Sequence, residues 1–462
     1  MVQLNNILLS GFADEECEEF INQGFDLSVW IRAPFNKDSV PFSAGIETYM
    51  HSDVRAFEFS PIKGVQLSGN LKKQLRETTF DIFRRHFFRN NFLQYSNLRS
   101  WNTLDNYFYM AANFFYDLLS RNKIELVIFS NVPHEGAFVI LYGVAKLLDI
   151  PTLVLCQSNN FPNRIWAMTD IEDFGEFNTF SGHNLPLPLP DVPEQPFYML
   201  FEIEKVYAKK YWKAVILQTL KVILMSVSTL AFFYHKRFFR NIFRLHGMKD
   251  RYRLISHGNS HHQTVDLSLP YIYFPLGLQP EMTTDTIGLA FGDQLLAIEE
   301  ISAIIPDHMV IYVKENPKQT YHMRSESFHR RLSAMTNVRY ITHDFSSLQL
   351  IKDAKCVALV TGTAGYEAAL LGVPAITFGV TWYNSLHGVF PWKGDETLEQ
   401  VLEFVPDQTK LQSSFDKLTR KSYLGLVDHA CGTMMPVYDK DQSIKQTVSS
   451  VRDMIDEYSQ IL

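Results

Sequence analysis

Val357-Ala-Leu-Val-Thr-Gly-Thr-Ala-Gly-Tyr-Glu-Ala-Ala-Leu-Leu-Gly-Val-Pro-Ala-Ile-Thr-Phe-Gly379 reads as a strand, a turn of hydroxyls and glycines, a short helix and a second strand. The turn Thr361, Gly362, Thr363, Ala364, Gly365 brings backbone N–H groups and two hydroxyls to the first turn of a helix expected to start near Tyr366. The partial positive charge of a helix end favours a phosphate there. Glu367 stands at the helix start, Gly372 just past its end, and Pro374 opens the next apolar run, so start and stop signals agree. A nucleoside mono- or diphosphate sugar fits such a turn. A βαβ turn without a ligand is the plainer alternative.

The same grammar recurs along the chain. Apolar runs at Ile7–Ser10, Leu27–Ile31, Ile124–Phe129 and Thr152–Cys156 alternate with helical spacings at Asp14–Gln23, Ser100–Arg121 and Gly136–Leu148. After residue 270, strands are expected at Tyr271–Phe274, His308–Val313, Val338–Ile341 and Cys356–Val360. Helices are expected at Gly292–Ile305, Ser325–Met335, Ser346–Ala354 and Ser443–Leu462. This is α/β alternation, and 462 residues with 46% apolar content supply two Rossmann-like halves, each with its own core. Ligands of open parallel sheets sit beyond the carboxyl ends of the strands, which points to Ser130–Gly136 and Gln157–Asn160 in the first half.

With a net charge of −7, nothing points to a phosphate-backbone partner for the whole chain, so no nucleic acid is expected. Cys17, Cys156, Cys356 and Cys431 lie far apart, without disulfide or zinc spacing, which fits a reducing compartment. The opening residues carry no basic stretch followed by a long apolar core, so the protein is expected in the cytoplasm. No metal-ligand spacing stands out; a metal-independent chemistry without cofactor is expected. Phenylalanine is abundant at 36 residues, some of it in basic helical stretches such as 81–90, where packing between helices is the simpler reading.

The proline-dense run Leu185-Pro-Leu-Pro-Leu-Pro-Asp-Val-Pro-Glu-Gln-Pro196 breaks regular structure and reads as a linker. Helical spacing follows from Phe201 to Arg253. Its segment Ala214–Tyr234 has nearly the length of a bilayer span but is interrupted by Gln218 and Lys221. Residues 235–253 carry seven Lys or Arg against one Asp, interleaved with Phe, Ile and Leu. That composition suits an interfacial helix on anionic inner-membrane lipid, or equally a pair of linker helices with solvated basic faces.

Four strings together resemble the bacterial capsule polysaccharide biosynthesis proteins, the group containing the capsule Kdo transferases. They are the glycine turn above, Phe274-Pro-Leu-Gly-Leu-Gln-Pro-Glu-Met-Thr-Thr284, Val310-Ile-Tyr-Val-Lys-Glu-Asn-Pro317 and Asn131-Val-Pro-His-Glu-Gly136. The resemblance implies a GT-B-like fold, with two Rossmann-type domains facing a cleft and a C-terminal helix crossing back. The expected division is an acceptor-side domain at 1–185, linker and helical segment at 186–265, a nucleotide-sugar domain at 266–435 and the crossing helix at 436–462. It implies transfer of Kdo or a related ulosonic acid from a CMP-activated donor to a glycan or glycolipid acceptor. One departure is Asn316, where the resembled string has His before Pro317. That leaves a UDP-hexose or CDP-polyol donor open, as well as a hydrolysing epimerase or a non-catalytic assembly subunit.

Candidate roles follow from position. Thr361, Gly362, Thr363, Ala364 and Gly365 form a leaving-group clamp, with Lys314 as a cation beside it. Glu367 is a candidate for ribose hydroxyls, or a carboxylate favoured by the helix end. Gln279, Glu281, Thr283 and Thr284 follow the first strand of the second half and would face a donor or form a polar hinge. Asn316 and Pro317 would contact the base or ribose. His134 and Glu135 are candidate bases for an acceptor hydroxyl, Glu135 favoured, while His134 has helix-capping as its alternative.

Overall fold

The structure is a computed structural model, and it describes residues 4–33, 45–58, 64, 66–91, 101–192, 264–316, 319, 324, 326–341, 345–432, 434–435 and 437–460. The helical stretch expected over 201–253, its basic aromatic part and Pro317 lie outside the described residues.

Two sheets organise the chain. The first contains β1 (Ile7–Phe12), β2 (Leu27–Arg32), β3 (Glu47–Tyr49), β4 (Leu126–Phe129), β5 (Thr152–Gln157) and β6 (Arg164–Met168). Its order is β6-β5-β4-β1-β2-β3, parallel except for β6, which runs antiparallel beside β5. The central strands are apolar throughout because both faces are covered. Leu8, Val29, Ile31, Val127 and Phe129 face one way, into a core with Phe108, Phe115 and Ile140. The alternate residues Ile7, Leu9, Trp30, Leu126 and Ile128 face the other, with Phe20. The first face is covered by α3 (Gly69–Asn91), α4 (Trp101–Arg121) and α5 (Gly136–Leu147), which follow the short α2 (His51–Arg55); the second by α1 (Asp14–Asn22).

The second sheet contains β7 (Tyr271–Pro275), β8 (Val310–Lys314), β9 (Val338–Ile341), β10 (Cys356–Leu359), β11 (Ala375–Thr377) and β12 (Val389–Pro391), in the order β12-β11-β10-β7-β8-β9 and parallel throughout. Its connecting helices are α6 (Gln294–Ile304), α7 (Glu326–Ala334), α8 (Ser347–Asp353), α9 (Ala364–Leu370), α10 (Asp395–Leu402) and α11 (Gln408–Arg420). The chain then returns to the first sheet. β13 (Tyr423–Leu424) pairs antiparallel with β6, and α12 (Lys440–Tyr458) lays Val448, Val451 and Met454 beside Phe20. The crossing back therefore begins at Tyr423, ahead of the terminal helix.

Strand order reverses between β1 and β4 in the first sheet and between β7 and β10 in the second. Each reversal opens a crevice beyond the carboxyl ends of its strands. This is the GT-B-like arrangement of two Rossmann-type domains. The two halves also touch: Phe161 lies 5.5 Å, ring to ring, from Trp382, Ser385 donates to the Gly175 carbonyl at 3.1 Å, and Arg85 of α3 donates to the Leu289 carbonyl at 3.0 Å.

Candidate functional site

The glycine turn sits in the crevice of the second sheet. Its helix begins at Ala364, two residues before the expected Tyr366, because Thr363 already has helical dihedrals and its carbonyl takes the Glu367 N–H at 2.9 Å. Gly362 has φ +124, a conformation that L side chains rarely adopt. Gly365 is required by packing, since a Cβ there would stand 2.7 Å from the Tyr383 hydroxyl. Both clamp hydroxyls already have acceptors: Thr361 donates to the Thr283 carbonyl, and Thr363 to Glu367 Oε1 at 3.0 Å. What the turn leaves for an anion is therefore the backbone N–H groups at the helix start.

Thr283 belongs to a single π turn, Met282–Thr286, that follows β7. Glu281 is its N-cap and accepts the Met282 N–H at 3.2 Å. Thr361, Thr363, Glu367, Thr283 and Glu281 are therefore gathered on one crevice. Thr284 is not available to a ligand in the same way: it is fully buried and donates its hydroxyl proton to the Leu278 carbonyl at 2.7 Å.

Gln279 corrects the expectation of a donor contact more strongly. Its side-chain oxygen accepts from Gln294 and from Arg324, each at 2.8 Å, and its amide donates to Asp285 at 3.2 Å and to the Gly292 carbonyl. Its own N–H and carbonyl are taken by Gln319 at 2.9 and 2.7 Å. That exhausts the two lone pairs and two protons of the amide. Arg324, buried, also forms a two-pronged pair with Glu315, at 2.8 and 3.3 Å, and donates to the Gly277 carbonyl at 3.1 Å. The Gln-Pro-Glu string therefore builds the loop that shapes the crevice. Gln294, Asp285, Gln319 and Arg324, which complete this network, were missed by sequence reading, because pairings at 6 to 45 residues' separation leave no local pattern.

Lys314 is likewise committed. It is 5% exposed, and its ammonium donates to the Ser347 hydroxyl at 2.8 Å and to the Phe345 carbonyl, tying the end of β8 to the start of α8. Asn316 is half-buried next to it; its N–H goes to Glu315 at 2.7 Å and its carbonyl accepts from Gln319 at 2.9 Å.

At the first sheet's crevice, Gly11, next to last in β1, has φ +88, and a Cβ would stand 2.3 Å from the Ser130 hydroxyl, which donates to the Gly11 carbonyl at 3.0 Å. The turn after β4 carries both expected bases. His134 Nδ1 donates to the Val132 carbonyl at 2.7 Å. Glu135 is the N-cap of α5, and its carboxylate lies 3.1 Å from His51 Nε2 and 3.7 Å from Arg55. Burial works to raise the Glu135 carboxyl, but the His51 contact and the charges of His51, Arg55 and His134 outweigh it and hold it below the usual carboxylate range. Glu135 is thus ionised at neutral pH and ill suited to be the proton acceptor itself. His51, stacked on Phe138 at 4.8 Å, is the partner sequence reading missed; it lies 84 residues before Glu135, at the start of the five-residue α2, which is too short to show a recognisable pattern.

Two further features border the site. A cavity of about 260 Å3 lies between α3 and α5, with Pro133 and Thr286 among the residues lining it. Among the described residues no cluster of three His, Cys, Asp or Glu side chains is placed to hold a metal ion, and no helix is long and apolar enough to cross a membrane.

Residues 257–418 match the model of the family described as capsule polysaccharide biosynthesis protein. No curated protein matches the chain in sequence. Among solved structures, the chain is similar to the KpsC beta Kdo 2,7 transferase of Thermosulfurimonas dismutans, at 10% identity and TM-score 0.31 over 68% of this chain and 82% of that one. It is similar to the UDP-GlcNAc 2-epimerase of Methanocaldococcus jannaschii at 11% identity and TM-score 0.26, over 90% and 98%. For Anabaena HepE in complex with UDP-glucose, the values are 12% and 0.28 over the full length of both chains. At these values the likeness tells nothing of substrate. The second sheet and its glycine turn fall within the residues that match the capsule polysaccharide biosynthesis protein model.

Proposed function

We propose that the chain is a glycosyltransferase of bacterial surface polysaccharide assembly, moving Kdo or a related ulosonic acid from a CMP-activated donor to a glycan or glycolipid acceptor. The observation that carries this reading is the family match over 257–418, which includes the turn Thr361–Gly365 and Glu367. In this reading the turn's backbone N–H groups hold the leaving phosphate and Glu367 takes ribose hydroxyls. On the facing crevice, His51 is the base for the acceptor hydroxyl, and ionised Glu135, 3.1 Å from its Nε2, orients the ring. A UDP-hexose or CDP-polyol donor is the second reading, favoured by Asn316 in place of histidine.

A thermal-shift panel of CMP, UDP, CDP and GDP tests the reading, because a ligand that binds the folded state raises the unfolding midpoint. CMP is expected to raise it most, UDP less. Stabilisation by the purine nucleotide alone would sink the proposal. Incubation with donor but no acceptor separates the classes: an epimerase changes the free nucleotide sugar, a transferase waits for its acceptor, and a non-catalytic subunit binds without turnover. Flotation with anionic vesicles tests the peripheral-membrane role proposed for 235–253.

A further inference from the structure

The nucleotide-side turn and the acceptor-side turn lie on different sheets, yet one π turn of five residues, Met282–Thr286, is bonded to both. At one end the Thr283 carbonyl accepts the hydroxyl of Thr361, first residue of the glycine turn. At the other, the Thr286 hydroxyl donates to the Pro133 carbonyl at 3.1 Å and lies 2.7 Å from His86 Nε2 on α3. A hydroxyl has one proton; since it goes to Pro133, His86 Nε2 must be the donor in the second bond. Thr286 is 2% exposed, so neither bond is readily exchanged for water.

The element between the two ends is held tightly. Thr284 is bonded to Leu278, and the Asp285 carboxylate takes the Glu281 N–H at 3.1 Å as well as the Gln279 amide. Beyond it, Val380 N–H donates to the Ile287 carbonyl at 2.9 Å, and a Cβ on Gly379 would stand 2.5 Å from that same oxygen. A shift at Thr361 therefore has no slack turn in which to disappear. π turns inside proteins are uncommon and concentrate at functional sites.

We propose that Thr286 is a positioning residue: it docks Pro133-His134-Glu135 onto the π turn, so that the state of the Thr361 turn sets the placement of the acceptor-side pair Glu135 and His51. The catalytic meaning of this coupling rests on the transferase reading above; the coupling itself is measured without any ligand. Hydrogen exchange of the full chain is followed at the amides of His134 to Phe138 in wild type, T361V, T286V, the double variant and T286S. T286V is expected to speed exchange about fivefold, the size of one net hydrogen bond, and T286S to restore it. T361V is expected to speed the same amides in wild type and to add little in the T286V background, because coupled sites are not additive. Equal effects of T361V in both backgrounds, or unchanged exchange in T286V, overturn the proposal. T286A replaces T286V should the valine not be accommodated. With nucleotide, a CMP that raises the midpoint without protecting these amides overturns the coupling and leaves the functional reading standing. If no nucleotide binds, that reading falls, and the ligand-free cycle still decides the coupling.

Discussion

Glu16 couples the protonation of one buried carboxyl to folding. It sits 2% exposed in the first turn of α1, and its carboxylate accepts the Ala13 N–H at 2.7 Å, half of a capping box. Burial, opposed by that hydrogen bond, pushes its carboxyl up to about 7. An acid with a raised folded value stabilises fully below its unfolded value, 4.5, and that contribution is lost as pH rises through about 7. The shift corresponds to about 3 kcal/mol. Glu16→Gln should therefore be more stable than wild type at pH 8, by up to that amount, with the difference shrinking toward pH 5. Thermal melts across this range check it, and parallel curves for the two proteins would show a solvated carboxyl. At the same scale, the candidate site was only partly legible. The Pro-His-Glu-Gly turn pointed to Glu135 and His134 as candidates, but the contacts with His51 and Arg55 that lower the Glu135 carboxyl come from a distant element.

Among elements, the loops after β7 and β8 are joined through Arg324, whose side chain is fully buried between Glu315, Gln279 and Gly277. Removing one partner of such a pair leaves a buried charge uncompensated, which costs about 3–5 kcal/mol. Arg324→Met is expected to lose that much in urea unfolding, and Arg324→Lys to recover only part, because an ammonium cannot reproduce the planar fork on Glu315. A loss below about 1 kcal/mol for Arg324→Met would mean that Glu315 is solvated, as exposed pairs are. The regular elements themselves were readable: continuous apolar runs bounded by turn residues marked β1, β2, β4, β5 and β7 to β10 to within a few residues. The π turn and two-residue β13 were not, since neither has a length over which periodicity can repeat and both exist through partners far along the chain. Polar strings invite a functional reading from sequence alone; Gln279 shows that the same residue types also build buried frames.

For the whole molecule, the first sheet is completed by the last part of the chain. Trp166 of β6 donates to the Leu418 carbonyl at 3.0 Å, Tyr423 donates to Glu457 at 2.7 Å, and Met454 of α12 is fully buried with Leu9, Phe20 and Trp30 in one core. An ion pair also joins the ends: Lys440 lies 2.6 Å from Glu15, but both side chains are about half exposed, at 49% and 51%. Exposed pairs contribute about 0–1 kcal/mol, whereas truncating a buried methionine leaves a cavity that costs about 2–5 kcal/mol. The apolar stripe of α12, and not the Lys440–Glu15 pair, is therefore what fastens the C-terminus to the first sheet. Met454→Ala should lower the unfolding midpoint of the first sheet clearly, followed by hydrogen exchange at the amides of β1 and β2, while Lys440→Gln should leave it almost unchanged. Two domains need not unfold in one step, so the second sheet's transition serves as the internal reference. Equal losses in the two variants would place the fastening in the ion pair instead. A selective loss in Met454→Ala would show that residues far from either crevice hold the first-sheet half together, and so fix the frame in which Glu135 and His51 meet.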